Sequence, residues 1–203
     1  MRLIYGTGNP AKLKAMRDWL CGLPILIDGL DHGAPSAPED GKTPLQNARQ
    51  KALFYYNLYR RPVFSCDSGI EILGVPQSKN PGVHARRPEG KSLTDAEMIA
   101  HYAALAGEYG RDGFLPARYL NAICLITEDG TLFEHNGDDI CSDLFLLADK
   151  PHARHTPGWP LDSLSVSAEK KAYWFDLSPE EQALSHKDLR PGFLTFFRDA
   201  LKL

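Results

Sequence analysis

The stretch Met1-Arg2-Leu3-Ile4-Tyr5-Gly6-Thr7-Gly8-Asn9-Pro10-Ala11-Lys12-Leu13-Lys14 opens the chain and decides its fold class. Leu3, Ile4 and Tyr5 make a short apolar run that reads as a strand, and Gly6 to Asn9 supply the small and polar residues of a turn. Pro10 suits the first position of a helix, where its missing N–H would be unpaired anyway. Leu13, Met16, Arg17 and Leu20 then recur at spacings of three and four, which predicts a helix over residues 10–20. Strand, turn and helix N-terminus together read as an anion site. Free backbone N–H groups and the positive end of the helix dipole point into the turn, with Lys12 and Lys14 beside it. A phosphate-bearing ligand suits such a place.

The turn by itself admits more than one use. Gly6-Thr7-Gly8-Asn9-Pro10-Ala11 fits the dinucleotide fingerprint G-x-G-x-x-G/A, and Asp28 follows about 20 residues on, where a ribose-binding acid would sit. A strand-to-helix connection without a ligand also fits. The decision falls to residues downstream.

Composition narrows the field. The 203 residues, 43% hydrophobic and 24% charged, describe an ordinary globular chain long enough for a sizeable core. A formal charge of -3 gives no field that would draw in nucleic acid, so positive charge must act locally, as in a pocket for a small anion. Cys21, Cys66, Cys124 and Cys141 form no C-x-x-C pair and read as reduced core thiols. Arg2 leads straight into a short strand, so no signal peptide is expected. No apolar run reaches the roughly 18 residues of a membrane helix. The expected location is the cytoplasm.

Strand and helix patterns alternate at first, with a strand near residues 25–28 and a helix from Thr43-Pro44 to about residue 59, capped by Thr43. Residues 62–66 and 70–73 read as two short buried strands, and residues 76–91 as a functional loop. Thr94-Asp95-Ala96-Glu97 is a capping box opening a helix to Tyr109. Residues 119–127 and 131–135 read as strands joined by an Asp129-Gly130 hairpin turn, followed by a strand over 141–148 and a closing helix over 191–203. The expectation is an α/β chain of one domain, residues 1–203, with a mixed sheet, two lobes and a central nucleotide-binding cleft.

Glu39 and Asp67 carry the chemistry. Glu39 stands in Pro38-Glu39-Asp40-Gly41 just before the long helix, and Asp67 ends a buried strand in Ser65-Cys66-Asp67-Ser68-Gly69. An acid at the C-terminal end of a strand opens into the ligand crevice of an α/β sheet. Two carboxylates facing a phosphate site would repel the substrate unless a divalent cation lay between them. Magnesium does this with one or two carboxylates, substrate phosphates and water.

Taken in order, these segments resemble the inosine triphosphate pyrophosphatase family. Thr7-Gly8-Asn9-x-x-Lys12 resembles the family's opening. Glu39-Asp40-Gly41-Lys42-Thr43 and Asn47-Ala48-Arg49-Gln50-Lys51-Ala52 are similar to its acid-x-Gly-x-Thr-x-x-x-Asn-Ala-x-x-Lys-Ala segment. Cys66-Asp67-Ser68-Gly69 stands for Asp-Asp-Ser-Gly, and Pro81-Gly82-Val83-His84-Ala85-Arg86 for Pro-Gly-(Val/Ile)-Tyr-Ser-Ala-Arg. Farther on, Gly158-Trp159-Pro160-Leu161-Asp162-Ser163 is the counterpart of Gly-Phe-Gly-Tyr-Asp-Pro, and Ser185-His186-Lys187 of Ser-His-Arg. Cys66 replaces the family's first acid, Pro160 its second glycine, and no lysine precedes Ser185 at the family's position.

The resemblance implies magnesium-dependent hydrolysis of purine nucleoside triphosphates, ITP, XTP and dITP foremost, to monophosphate and pyrophosphate. Glu39 and Asp67 would hold Mg2+, with Asp67 as general base. Thr7, Gly8, Asn9 and Lys12 would hold phosphates, with Ser68 beside the metal-bound group and Lys51 as a phosphate or carboxylate partner. Arg86, His186 and Lys187 would reach the nucleotide, and Trp159 and Asp162 would take the base. A homodimer is implied, with the aromatic and basic residues near 55–59 and 76–91 as its surface. A noncatalytic nucleotide sensor is the alternative, compatible with the altered base-end motifs. No G-x-x-x-x-G-K-[ST] or G-x-S-x-G element is present, which sets aside a P-loop NTPase and a serine hydrolase.

Overall fold

A computed structural model describes residues 1–185 and 187–203, and the backbone alone at Glu89, Ala183 and Leu184. The chain divides into two compact units, Met1–Ser68 with Leu120–Cys141 and Leu189–Leu203, and Gly69–Tyr119 with Ser142–Asp188.

In the first unit, β1 (Arg2–Tyr5) runs parallel to β2 (Leu26–Asp28) and to β3 (Val63–Ile72), with Ile4 opposite Asp28 on one side and Val63 on the other. Such central strands are covered on both faces, and Leu3, Ile4 and Tyr5 are all buried. Helix α1 (Pro10–Trp19) starts where Asn9 caps it and buries Met16. Helix α2 (Pro44–Tyr59) is capped by Thr43 and ends at Arg60 in the left-handed region. The C-terminal helix α5 (Arg190–Leu201) supplies Phe193, Phe196 and Phe197 to the core around Leu3, Met16 and Phe64. Phe197 meets Phe64 edge-on at 5.0 Å, the geometry that ring quadrupoles favour. Strand β4 (Phe114–Ile126) turns back through Asp129-Gly130 into β5 (Leu132–His135), with Ile126 opposite Leu132.

In the second unit, the start of β4 pairs antiparallel with β6 (Phe145–Ala148), which pairs with β7 (Ser165–Val166). Helix α3 (Asp95–Tyr109) lays Met98, Tyr102, Leu105 and Ala106 against Ile70, Ile72, Leu115 and Leu147. Its capping box closes as the sequence predicts, and the hydrogen bonds from Thr94 hold the Glu97 carboxyl down at about 2. A short helix, α4 (Pro179–Ser185), follows. Among the described residues the seven strands form one mixed sheet in the order β2-β1-β3-β4-β6-β7, with β5 on β4.

Four expectations change. The two strands read at 62–66 and 70–73 are one, because Ser68 and Gly69 stay extended and Ile70 N–H donates to Gly82 O. The strand expected at 119–127 begins five residues earlier, at Phe114. The strand expected over 141–148 is shorter, with a 3-10 turn at Asp138–Ile140 before it and β6 starting at Phe145. Cys21 is exposed, whereas Cys66, Cys124 and Cys141 are buried thiols. No helix among the described residues is long and apolar enough to cross a membrane.

Candidate functional site

Asp67 lies in the middle of β3, not at its end, and its neighbours come from α2. Asn47 and Lys51, four residues apart on one face of that helix, are 2% and 8% exposed, rare burial for an amide and an ammonium. Asn47 Nδ2 donates to Asp67 Oδ2 at 2.9 Å, and Lys51 Nζ donates to Asp67 Oδ1 at 2.8 Å. The same ammonium donates to Glu39 Oε1 at 3.0 Å, so two carboxylates converge on one cation. Burial works against the charge on Lys51, but Asp67 and Glu39 outweigh it and raise its pKa. Asn47 Oδ1 in turn accepts Gly41 N–H at 2.8 Å, which fixes the loop carrying Glu39. A Cβ on Gly41 would stand 2.6 Å from Asn47 Oδ1 and 2.7 Å from Gln46 Cβ, so only glycine fits.

The preceding residue along β3 points to the opposite face, as strand geometry requires. Cys66 accordingly packs in the core with Tyr5 and Phe64. Burial pushes its thiol up to about 12, so at neutral pH it holds a proton and offers no anionic oxygen in place of the family's first acid. Lys12, in the first turn of α1, is half-buried. Its burial and then the charge of Lys51 press its pKa down, while Asp67, Cys66 and Glu39 pull the other way.

The turn before α1 differs from its sequence reading. Asn9 Oδ1 accepts Ala11 N–H at 2.9 Å and Lys12 N–H at 3.3 Å, and Thr7 Oγ1 accepts Asn9 N–H at 3.2 Å. The helix N–H groups expected to face an anion are thus taken by the cap, because a small polar side chain in that position reaches them first. Attraction for an anion falls to Lys12. Gly6 also has a packing role, since a Cβ there would run into Ser65 Oγ and lie 2.7 Å from a Tyr55 ring carbon, whereas Gly8 faces open space. Asp28 is paired with Arg61 at 2.9 Å and Arg2 at 3.1 Å, contacts that hold its carboxyl below the ordinary range. The dinucleotide alternative loses its ribose acid to those arginines. Ser68 Oγ donates to Asn121 Oδ1 at 2.7 Å, and Asn121 Nδ2 to Ile140 O at 2.7 Å.

The remaining expected residues belong to the second unit. Arg86 is engaged by Asp95 at 2.8 Å and by Leu93 O at 3.2 Å, where the sequence placed it on the nucleotide. Trp159, 39% exposed, precedes the 3-10 turn Pro160–Ser163. Burial raises the pKa of Asp162 in that turn, against a hydrogen bond from Thr156. Lys187 is half-buried between α4 and α5. His186 lies outside the described residues. The sequence gives Asn47 and Asp95 places on helices but no role at a site, and nothing in it singles out Asn121. Only the Asn47–Lys51 spacing held a usable signal, a polar pair on the buried face of a helix.

The sequence pattern of the Ham1 family matches residues 3–140, and the chain belongs to that family. A dITP/XTP pyrophosphatase of Geobacter sulfurreducens is 29% identical over 193 residues, covering 92% of this chain and 90% of its own. One from Desulforamulus reducens is 26% identical over 190 residues, with the same coverage. Among solved structures, a HAM1 protein from Coxiella burnetii superposes with a TM-score of 0.76 at 22% identity, covering 100% of this chain and 98% of its own. The mixed α/β fold is therefore the Ham1 fold.

Proposed function

We propose that the protein is a nucleoside triphosphate pyrophosphatase that cleaves the α–β anhydride to release a monophosphate and pyrophosphate, acting in the cytoplasm. The observation that carries this reading is the convergence of Glu39 and Asp67 on one buried cation, Lys51, within the electrostatic reach of Lys12. Magnesium fits that donor set, since two hard carboxylate oxygens already share a cation and Mg2+ commonly takes one or two carboxylates with substrate phosphates. Glu39 and Asp67 would hold it. When bound, it would offset the charge between carboxylates and phosphates and polarise the anhydride.

The chain's own residues do the rest. Asp67, gripped through both oxygens by Asn47 and Lys51, keeps lone pairs free and accepts the proton of the attacking water. Lys12 and Lys51 neutralise the phosphates, and Thr7, Gly8, Asn9 and Ser68 line their path. Trp159 stacks on the base, with Asp162 and Lys187 at its polar edge. A lysine that donates to a 6-keto oxygen and a carboxylate that accepts from N1–H favour 6-keto purines over ATP, because a mismatched base leaves buried polar groups unpaired. Two copies associate as a homodimer.

A screen of ITP, XTP, dITP, GTP, ATP and pyrimidine triphosphates with magnesium tests the proposal. Pyrophosphate release, fastest with the 6-keto purines, is the expected result. Orthophosphate release overturns the cleavage site, and equal rates with ATP overturn the selectivity. The protonated Cys66 thiol, where the family carries an acid, favours one second reading. Binding without turnover would identify a nucleotide sensor.

A further inference from the structure

Asp95 has no part in the chemistry described so far, yet its two carboxylate oxygens serve two different loops. Oδ1 takes the Arg86 guanidinium at 2.8 Å, and Oδ2 accepts Gly158 N–H at 3.2 Å. The first partner ends the Pro81-Gly82-Val83-His84-Ala85-Arg86 segment. Arg86 and Leu93 close that segment with a reciprocal pair of bonds, guanidinium to Leu93 O and Leu93 N–H to Arg86 O. Ala85 O is further held by the Tyr102 hydroxyl at 2.8 Å. The second partner is the residue just before Trp159, at a glycine with φ of 82° that a side chain would strain. From Trp159 O the chain bonds on to Asp162 N–H, which links Gly158 through Trp159 to the 3-10 turn that carries Asp162.

Asp95 itself stands on a rigid element. It is the first residue of α3, between the cap Thr94 and its partner Glu97, and the helix buries its far face in the core of the second unit. A carboxylate there also suits the helix dipole, so a purely structural role is the competing account. Two features exceed that role. The bond to Gly158 reaches 63 residues along the chain, and its consequence is to fix the backbone beneath an exposed tryptophan.

We propose that Asp95 is a positioning residue for base recognition: it ties Arg86 to the loop that carries Trp159 and Asp162, and so sets which nucleobase is turned over. The proposal rests on the pyrophosphatase reading above. Arg86 is thereby part of the tie and not a substrate contact. Such a device matters because a displacement of about 1 Å in a positioning group can cost about 10²-fold in rate.

Two measurements separate the tie from the function. Amide hydrogen exchange over residues 154–163 reads the tie alone. Asp95→Ala is expected to speed exchange there and leave exchange in the first unit unchanged, and unchanged exchange over 154–163 overturns the proposal. Turnover reads the consequence. Asp95→Ala is expected to lower kcat/KM for ITP by about tenfold, the scale of a lost charge-assisted hydrogen bond, mainly through KM. ATP turnover and competitive inhibition by inorganic tripolyphosphate should hold at wild-type values. Equal losses for ITP and ATP, or weakened tripolyphosphate inhibition, overturn it in favour of a structural role. Arg86→Gln, which leaves the Gly158 bond in place, should reproduce the direction with a smaller loss. If wild-type protein turns over no triphosphate, the pyrophosphatase reading and the selectivity arm fail together, and the exchange arm alone decides the tie.

Discussion

At the scale of single residues, Asp67 and Asp162 show how one side-chain type is set to different tasks. Asp67 meets a lysine and an amide, each with one oxygen, and is the proposed general base. Asp67→Asn keeps the shape and removes the base, so kcat for pyrophosphate release should fall by at least about 10²-fold with the fold intact. A variant within a few-fold of wild type would remove Asp67 from that role. Asp162 instead pays for its burial with a raised pKa. Between the unfolded and the raised folded value the native chain binds more protons, so stability falls as pH rises through that window, and the cost persists above it. Asp162→Asn should therefore melt higher than wild type at neutral pH and equally below about pH 3.9. Melting temperatures across pH check this, and a difference independent of pH would contradict it.

At the scale of elements, α2 is the part that builds the candidate site. Its buried face is half apolar, Ala48, Ala52 and Tyr55, and half polar, Asn47 and Lys51. Tyr55 packs inward, its hydroxyl donating to Pro35 O at 3.2 Å and accepting Ala37 N–H at 3.3 Å. The loop before α2 is seated by the close approach of Gly41 to Asn47. Gly41→Ala forces helix atoms or the loop to shift, an overpacking cost of about 1–3 kcal/mol, and loosens the amide that holds Asp67. Gly8→Ala meets nothing within 4 Å and should change stability by no more than about 0.5 kcal/mol. Urea unfolding of the two variants compares them directly. Equal stabilities would show that the Gly41 contact relaxes freely.

At the scale of the whole molecule, the proposed homodimer predicts a solution mass of twice the 22.6 kDa of one chain. Light scattering across micromolar concentrations checks it, and a monomer throughout would overturn it. The surface expected to mediate contact changes character in the structure. Tyr55 is inside, while Leu53 and Leu58 stand exposed on α2. In the other expected segment, residues 76–91, Asn80 Nδ2 donates to Ile72 O at 3.2 Å, so that loop is pinned to the end of β3.

The sequence by itself determined the alternation of elements, the caps of α2 and α3 and the succession Thr7–Lys12, Glu39–Ala52, Asp67–Gly69 that marks the family. These are local matters. A capping box, a proline at a helix start or an apolar period depends on residues three or four apart, and such signals survive in a linear reading. Tertiary structure alone decided that Lys51 would bridge Glu39 and Asp67, that Cys66 would turn away into the core, and that Arg86 would be claimed by Asp95. Each of these is a competition among several available partners, and its outcome depends on which groups burial deprives of water. Burial is fixed by how distant segments pack, and no local spacing records it.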